Sequence, residues 1–566
     1  MRIATHRFIG AALAFGLGAP LALPAPVAAC GGFFCGQQPV DQQAERILFS
    51  VDEEAGTTDM IVQIAYEGDA DDFAWVVPLG QAPLDGSLDA AFPQGALTAL
   101  DANTAPRLFP NGGCFLEETD ATAGPPRNGD DDGVTVLIRE VVGPYDVAVI
   151  ESDDPDALVA WLRDNEFRVT EAMAPYIAEY TLDPSADFKF LALRLTSEAG
   201  TKDISPFRMT LPGTAPVVPL KMTALAAEPE MGIVVFILGT QRYEPANWED
   251  LEVPDEYVKW DFERWQSNWP EAVARVIDES VREDGVPGFV TEMATPTDTY
   301  LNLLMNTTPA DEDQAAAVEA LLEVMEGQAY ITRLYARLSA EEMLSDPMFR
   351  RSAGEDVERW REVNLPEDMD CGGDGTAAED ASGPCDFIAC GALGTCAETV
   401  VDGERVAACA CAAGATARTT FGPRGEVTVA CQDQRMSFLN PGDVELPGAT
   451  PLPDPCLGVD CGFGTCVPMN MTPTCACDRG FVAIGSVTDG VRSTRCVEPA
   501  APVPPSFYAA TVLPERPANL PAGRAVDLPD PPSLAGAGGC SAAAGASGMA
   551  GLLPFALLGL ARRRRR

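Results

Sequence analysis

The sequence predicts a mixed α+β N-terminal domain, followed by small disulfide-rich modules, a linker and a hydrophobic C-terminal tail. Three observations lead there. Strand-like and helix-like periodicities mix up to about residue 365. Twelve cysteines then fall into two blocks of similar spacing. Last, a Pro/Ala-rich stretch runs into an apolar segment and five arginines. At 566 residues the chain has room for two or more domains and a sizeable core in at least one.

Residues 1–29 read as a secretory signal. Arg2 and Arg7 supply the positive start, Phe8 to Leu23 the apolar run, and Val27-Ala28-Ala29 a cleavage site before Cys30. Val27 to Cys30 are also similar to a bacterial lipobox, which would acylate Cys30.

The domain spanning 30–365 carries strand patterns at Arg46–Val51, Met60–Tyr66, Phe73–Pro78, Phe188–Thr196 and Gly232–Leu238. The last is almost wholly apolar and is expected at the centre of a sheet. Thr135–Glu140 and Tyr145–Glu151 read as a pair joined at Gly143-Pro144. Helices are expected at Asp156–Asn165, with Ser152 or Asp153 near its start, and between Thr170 and Tyr180 with Pro175 in its first turns. Glu256–Gln266, Ala315–Met325 and Ala340–Leu344 are further helix candidates.

Cys385, Cys390, Cys396, Cys409, Cys411 and Cys431 form the first cysteine block (371–432). Cys456, Cys461, Cys466, Cys475, Cys477 and Cys496 form the second (454–497). The C-x-C in each sets the register of an internal repeat. Blocks this small cannot build a sufficient core, so disulfides are expected to staple them, with zinc as the rival reading. Cys30, Cys35, Cys114 and Cys371 make an even remainder that could form two bridges, although their pairing cannot be read from sequence.

Residues 498–539 read as a Pro/Ala-rich linker, and 540–566 as a terminal signal. Cys540 precedes a weakly hydrophobic stretch from Ser541 to Ala561 and the cluster Arg562 to Arg566. A plain tail anchor is one reading. The arrangement also resembles the C-terminal sorting signal of myxobacteria, which implies removal of the tail, modification of Cys540, handling by envelope sorting machinery and display at the outer surface. Pro554 suits a segment that is cut away better than a permanent span.

Two further resemblances follow from quoted motifs. Cys30-Gly31-Gly32-Phe33-Phe34-Cys35, Glu45-Arg46-Ile47-Leu48-Phe49 and Phe73-Ala74-Trp75-Val76-Val77-Pro78 resemble the bacterial family Domain of Unknown Function 2330. Leu334 to Ser339 and Asp346-Pro347-Met348-Phe349 resemble its closing segment. That family implies export without an agreed activity. Cys461-Gly462-Phe463-Gly464-Thr465-Cys466 and Cys475-Ala476-Cys477-Asp478-Arg479-Gly480-Phe481 resemble an epidermal-growth-factor-like module, and the first block resembles one less closely. The resemblance implies the pairs Cys385 with Cys396, Cys390 with Cys409, Cys411 with Cys431, Cys456 with Cys466, Cys461 with Cys475, and Cys477 with Cys496. Neither block carries the acidic pattern of calcium-binding members, so calcium is not expected at either.

Charge and composition narrow the function. The 85 acidic residues face 38 basic ones, and seven of those lie in the leader and the terminal cluster, leaving 31 for the body. Such a field repels nucleic acid and anionic membrane surfaces. The only histidine, His6, lies in the leader, so a mature secreted chain has no Ser-His-Asp or Cys-His site and no His-ligated zinc or copper. Carboxylate chemistry, Lys-dependent chemistry and oxygen-ligated calcium stay open.

Trp75 reads as a core strand residue or as part of a binding surface. Trp248, Trp260, Trp265 and Trp269 lie close to Asp250, Glu252, Asp255 and Glu256. That is compatible with carbohydrate binding or glycoside cleavage, but also with chance in so acidic a chain. Asp130-Asp131-Asp132 reads as a solvated loop without calcium-loop spacing. No catalytic residue, metal ligand or cofactor is expected. The function expected is an exported cell-surface binding or adhesion protein, anchored through its C-terminus, whose partner is an extracellular protein or glycan. The alternatives are an envelope structural protein and a carboxylate-dependent hydrolase of an extracellular polymer.

Overall fold

Ile233 to Leu238 are apolar without a break and buried on both faces, the pattern of an interior strand. In the computed structural model they lie in the strand Ala227–Gly239, fourth of seven in a mixed sheet. The structure describes residues 41–504 except 68–73, 111–134, 166, 183–187, 196–204, 262–263, 265, 307–308, 364–382, 423–424, 444–450 and 489. The leader, Asp130 to Asp132, Trp265, the terminal signal with Cys540, and Cys30, Cys35, Cys114 and Cys371 therefore lie outside the described residues.

The seven-stranded sheet runs Glu249–Leu251, Gly288–Pro296, Tyr330–Leu338, Ala227–Gly239, Asp41–Asp52, Thr57–Glu67, Phe207–Pro212. Asp41–Asp52 pairs in parallel with Ala227–Gly239, as does Glu249–Leu251 with Gly288–Pro296, and the other neighbours are antiparallel. A second sheet, wholly antiparallel, orders Ala74–Leu79, Lys189–Leu195, Tyr145–Glu151 and Thr135–Val142. Its last two strands turn at Gly143, whose φ of 58° suits glycine. Trp75 is buried in this sheet, so its core reading holds and its surface reading does not.

The helix Pro155–Asp164 is capped by Asp154, one residue beyond the expected start, and its carboxylate accepts the Asp156 and Ala157 amides. Ala174–Thr181 keeps Pro175 in its first turn, and Glu312–Met325 covers the helix expected at Ala315–Met325. Ala340–Leu344 is a single 3-10 turn, Ala340–Glu342.

Glu256–Gln266 is not a helix. A 3-10 turn, Asp255–Tyr257, gives way to a short ladder of Trp260–Asp261 against Gln266–Ser267. Side chains bind this backbone in place of helical partners. Asn268 Oδ1 accepts the Lys259 amide at 2.6 Å, its Nδ2 donates to the Tyr257 carbonyl at 2.9 Å, and Asp261 accepts the Arg264 amide. The helix begins afterwards, as Trp269–Asp284, with Pro270 in its first turn and Gly285 as a left-handed cap at φ 73°.

The two cysteine blocks share their sheets. The hairpin Gly394–Val401/Glu404–Cys411 of the first block joins Val482–Thr488/Val491–Val497 of the second, and Ala415–Phe421/Val427–Asp433 joins Gly464–Met469/Thr472–Cys477. Cys409 pairs with Ala483, and Ala417 with Cys475. Ala417 and Ala483 each lie six residues after the second cysteine of their C-x-C, so the repeats meet about a local pseudo-two-fold, the way identical surfaces meet in a symmetric dimer. The disulfides are Cys385–Cys396, Cys390–Cys409, Cys411–Cys431, Cys456–Cys466, Cys461–Cys475 and Cys477–Cys496, the pairs that the resemblance implies.

This pair is docked on the main domain. Phe438, in the segment between the blocks, is fully buried in the main core and meets Tyr176 edge-on at 5.1 Å. Thr170 donates to the Phe438 carbonyl at 2.6 Å, and Val281 of the long helix packs among Cys390, Leu393 and Cys431.

Candidate functional site

The seam between main domain and cysteine blocks is built on an irregularity. Gln42 pairs with Ala227, but Ala44 pairs with Gly232, so residues 228–231 bulge from the parallel ladder. Glu230 takes φ 60° there, unusual for a residue with a side chain. Glu228 on the same bulge is buried and matched. Arg418 of the first block and Arg492 of the second both donate to its Oε1, at 3.0 and 2.8 Å.

Glu230 meets a different environment. It gathers with Asp278 of the helix Trp269–Asp284 and Glu342 of the turn Ala340–Glu342, and each offers a carboxylate oxygen within 4.8 Å of the others. All three are buried. Ser339 holds two of them. Its hydroxyl donates to Glu230 Oε1 at 3.3 Å, and its amide to Glu342 Oε2 at 2.7 Å as part of a capping box. The other oxygens, Glu230 Oε2 and Glu342 Oε1, are sealed from solvent without a hydrogen-bond donor. Gly391 of the first block closes over the site; a β-carbon built there would lie 3.4 Å from Glu230 Oε1.

Burial pushes all three carboxyl groups upward. For Glu230, Arg337 pulls against it; for Asp278 and Glu342 the neighbouring acids add to it. Burial also raises the adjacent Glu341, to about 8. Arg337 spends its Nε on the Glu230 carbonyl at 3.1 Å, and Arg282 stands 3.8 Å from Asp278.

A second locus lies across the long helix. A cavity of about 350 Å³ is lined by Leu108, Val253, Asp255, Val258, Trp269 and Arg361, with Glu362. The Arg361 guanidinium sits 4.7 Å over the Trp269 ring, and its buried Nε has no hydrogen-bond partner. Beneath it, Trp269 Nε1 donates to Glu292 at 2.6 Å. Glu292 also binds Arg333, which shares Asp101 with Arg46. Here two acids face two arginines and the charge balances.

The sequence-level aromatic and acidic group is dispersed. Trp248, Trp260 and Trp269 are buried, so no ring of the three offers a flat sugar platform. Asp250 is tied to Arg242 and Thr291, and only Asp255 reaches the cavity. Sequence reasoning missed Glu230, Asp278 and Glu342, which come from three distant segments. The one local signal was Ser339-Ala340-Glu341-Glu342, a capping-box pattern that announces a turn without announcing a buried acid.

No helix among the described residues is long and apolar enough to cross a membrane. No curated protein matches the chain. Among solved structures, the crystal structure of baculovirus P35 aligns with 10% identity over 36% of this chain and 66% of that one, just under two thirds of its length. Its TM-score of 0.23 carries no argument about fold or function. A family model described as "Uncharacterized protein conserved in bacteria (DUF2330)" matches residues 24–350, more than half of the chain, and includes the strand bulge and the acids gathered on it. The chain belongs to that family.

Proposed function

We propose that this chain is an exported cell-surface binding or adhesion protein whose cysteine-rich pair presents the contact surface to an extracellular protein. The observation that carries the reading is a set of exposed apolar side chains within a seven-residue stretch of the second block. Leu457 is 89% exposed, Phe463 is half exposed, and Val459 lies nearby in sequence. Phe463 stacks on Phe481 at 4.3 Å with an interplanar angle of 12°. An exposed aromatic and aliphatic group of this kind suits a protein partner better than a glycan, whose hydroxyls need polar partners.

Supporting features agree. Phe463 and Phe481 fall in the segments that carry the epidermal-growth-factor-like resemblance, and we read both blocks as such modules. Six disulfides suit an oxidising compartment outside the cytoplasm. The leader and the terminal Cys540 with its arginine cluster supply export and attachment at the outer surface by the envelope sorting machinery. The hydrolase alternative rests only on Asp255 and Glu362 at the cavity. Glu230, Asp278, Glu341 and Glu342, whose carboxyl groups burial raises, are sealed from substrate, and none of them lines the cavity.

The test is binding of the labelled, disulfide-intact protein to intact cells. Saturable binding that protease treatment of the cells removes, and that Leu457→Ser with Phe463→Ser weakens at least about tenfold, is the expected result. Binding that survives protease but is lost on periodate oxidation would assign a glycan instead. Absence of saturable binding would overturn the reading.

A further inference from the structure

We infer that Glu230, Asp278 and Glu342 hold one divalent cation, calcium in an extracellular setting, and that the ion ties the strand bulge, the long helix and the 339–342 turn together beneath the first cysteine block. Charge is the first ground. Three buried carboxylates, Glu230, Asp278 and Glu342, converge at the seam with Glu341 beside them, and the nearby guanidinium groups are Arg282 and an Arg337 that also reaches Glu271 at 3.9 Å. The neighbouring Glu228 and the Glu292–Asp101 network show how this protein treats buried acids elsewhere, with at least one arginine for each carboxylate. An unmatched buried carboxylate is costly, so the cluster takes up either protons or a cation.

Hydrogen bonding favours the cation. A carboxyl group kept neutral by a proton gains most when it donates that proton to an acceptor. Glu230 Oε2 and Glu342 Oε1 have neither donor nor acceptor, although both are sealed from water. Three convergent carboxylates within 4.8 Å form a hard, all-oxygen ligand set. Calcium binds such sets at about 2.3–2.6 Å and tolerates irregular geometry, whereas magnesium demands a near-ideal octahedron and keeps its waters. Zinc would call for sulfur or nitrogen ligands. The site lies beneath Gly391, next to Cys390 and its bridge to Cys409, and filling it ties the bulge, the long helix and the 339–342 turn to one another under that block. Only the choice of calcium rests on the export reading; the ligand set does not.

Calorimetric titration of the full disulfide-bonded chain with calcium chloride, in two buffers of different ionisation heat, tests the inference. One saturable site with a dissociation constant on the order of 10⁻⁴ M or tighter is expected. Asp278→Asn is expected to weaken binding at least tenfold. A cooperative thermal transition of the calcium-free variant shows that it is folded. Glu342→Gln provides a second test of the same kind. No saturable site in the unaltered protein, or an unchanged isotherm in both folded variants, would overturn the inference. Either result stands apart from the cell-binding experiment, which requires no ion at the seam.

Discussion

Phe438→Ala should separate docking from disulfide stapling. Phe438 is 0% exposed yet belongs to the segment between the two cysteine blocks, so its burial measures how firmly the pair holds to the main domain. Its ring meets Tyr176 at 5.1 Å and 85°, and its backbone joins both sides, with the carbonyl accepting from Thr170 and the amide donating to Asn470 at 2.6 Å. Truncating a fully buried phenylalanine costs about 3–5 kcal/mol. The backbone bonds survive the change, so the loss falls on ring packing, and about 0.5–1.5 kcal/mol of it should couple to Tyr176.

The assay is urea unfolding under oxidising conditions, followed by tryptophan fluorescence, with Tyr176→Leu and the double variant completing a cycle. The unaltered protein should unfold in one transition. Phe438→Ala should move the main-domain transition down by about 3–5 kcal/mol while all six disulfides persist. A loss below about 1 kcal/mol with an unchanged slope would mean that this contact does not hold the pair.

Other perturbations follow from single sites. Burial alone would raise Asp101, but Arg333 and Arg46 overcome it and hold its carboxyl below the ordinary 3.8. Its stabilisation is therefore present above the unfolded value and is lost as pH falls through the folded one. The stability gap between the unaltered protein and Asp101→Asn should thus close on acid titration from about pH 6 to about pH 2, and a gap independent of pH would contradict the assignment. Gly143→Ala would place a β-carbon 2.7 Å from that of Ala90 at φ 58°, for a loss of roughly 1–3 kcal/mol in chemical denaturation. Asp154→Ala removes the acceptor for the Asp156 and Ala157 amides and should cost about 1 kcal/mol by the same measurement.

What could be read in advance follows from how local each cause is. Tyr145–Glu151 and the centrality of Ala227–Gly239 were legible because alternation and unbroken apolar runs are properties of a few adjacent residues. The register of the two cysteine blocks was legible for the same reason. The expected helix at Glu256–Gln266 failed because its backbone partners, the Asn268 and Asp261 side chains, act through specific hydrogen bonds that periodicity does not register. The candidate site was illegible for a larger reason. Glu230, Asp278 and Glu342 lie on a strand bulge, a helix and a turn, separated by tens of residues, in a chain where acids are too common for any one to stand out.

The docking changes how the cysteine blocks can work. Two modules in series that touched nothing else would act as a spacer, and their value would lie in reach. Here Ala417 and Ala483 exchange ladder positions across a pseudo-two-fold, and Phe438, Arg418 and Arg492 fix the resulting unit to the main domain. A spacer gains nothing from a buried phenylalanine or from two arginines on one glutamate, since both interactions stiffen the joint that a spacer leaves free. They are intelligible if the exposed Phe463 and Leu457 must be held at a set position relative to the main domain, because fixing them beforehand lowers the entropy lost on binding. Reach must then come from elsewhere in the chain, and the Pro/Ala-rich composition of residues 498–539 is the part of the sequence suited to supply it.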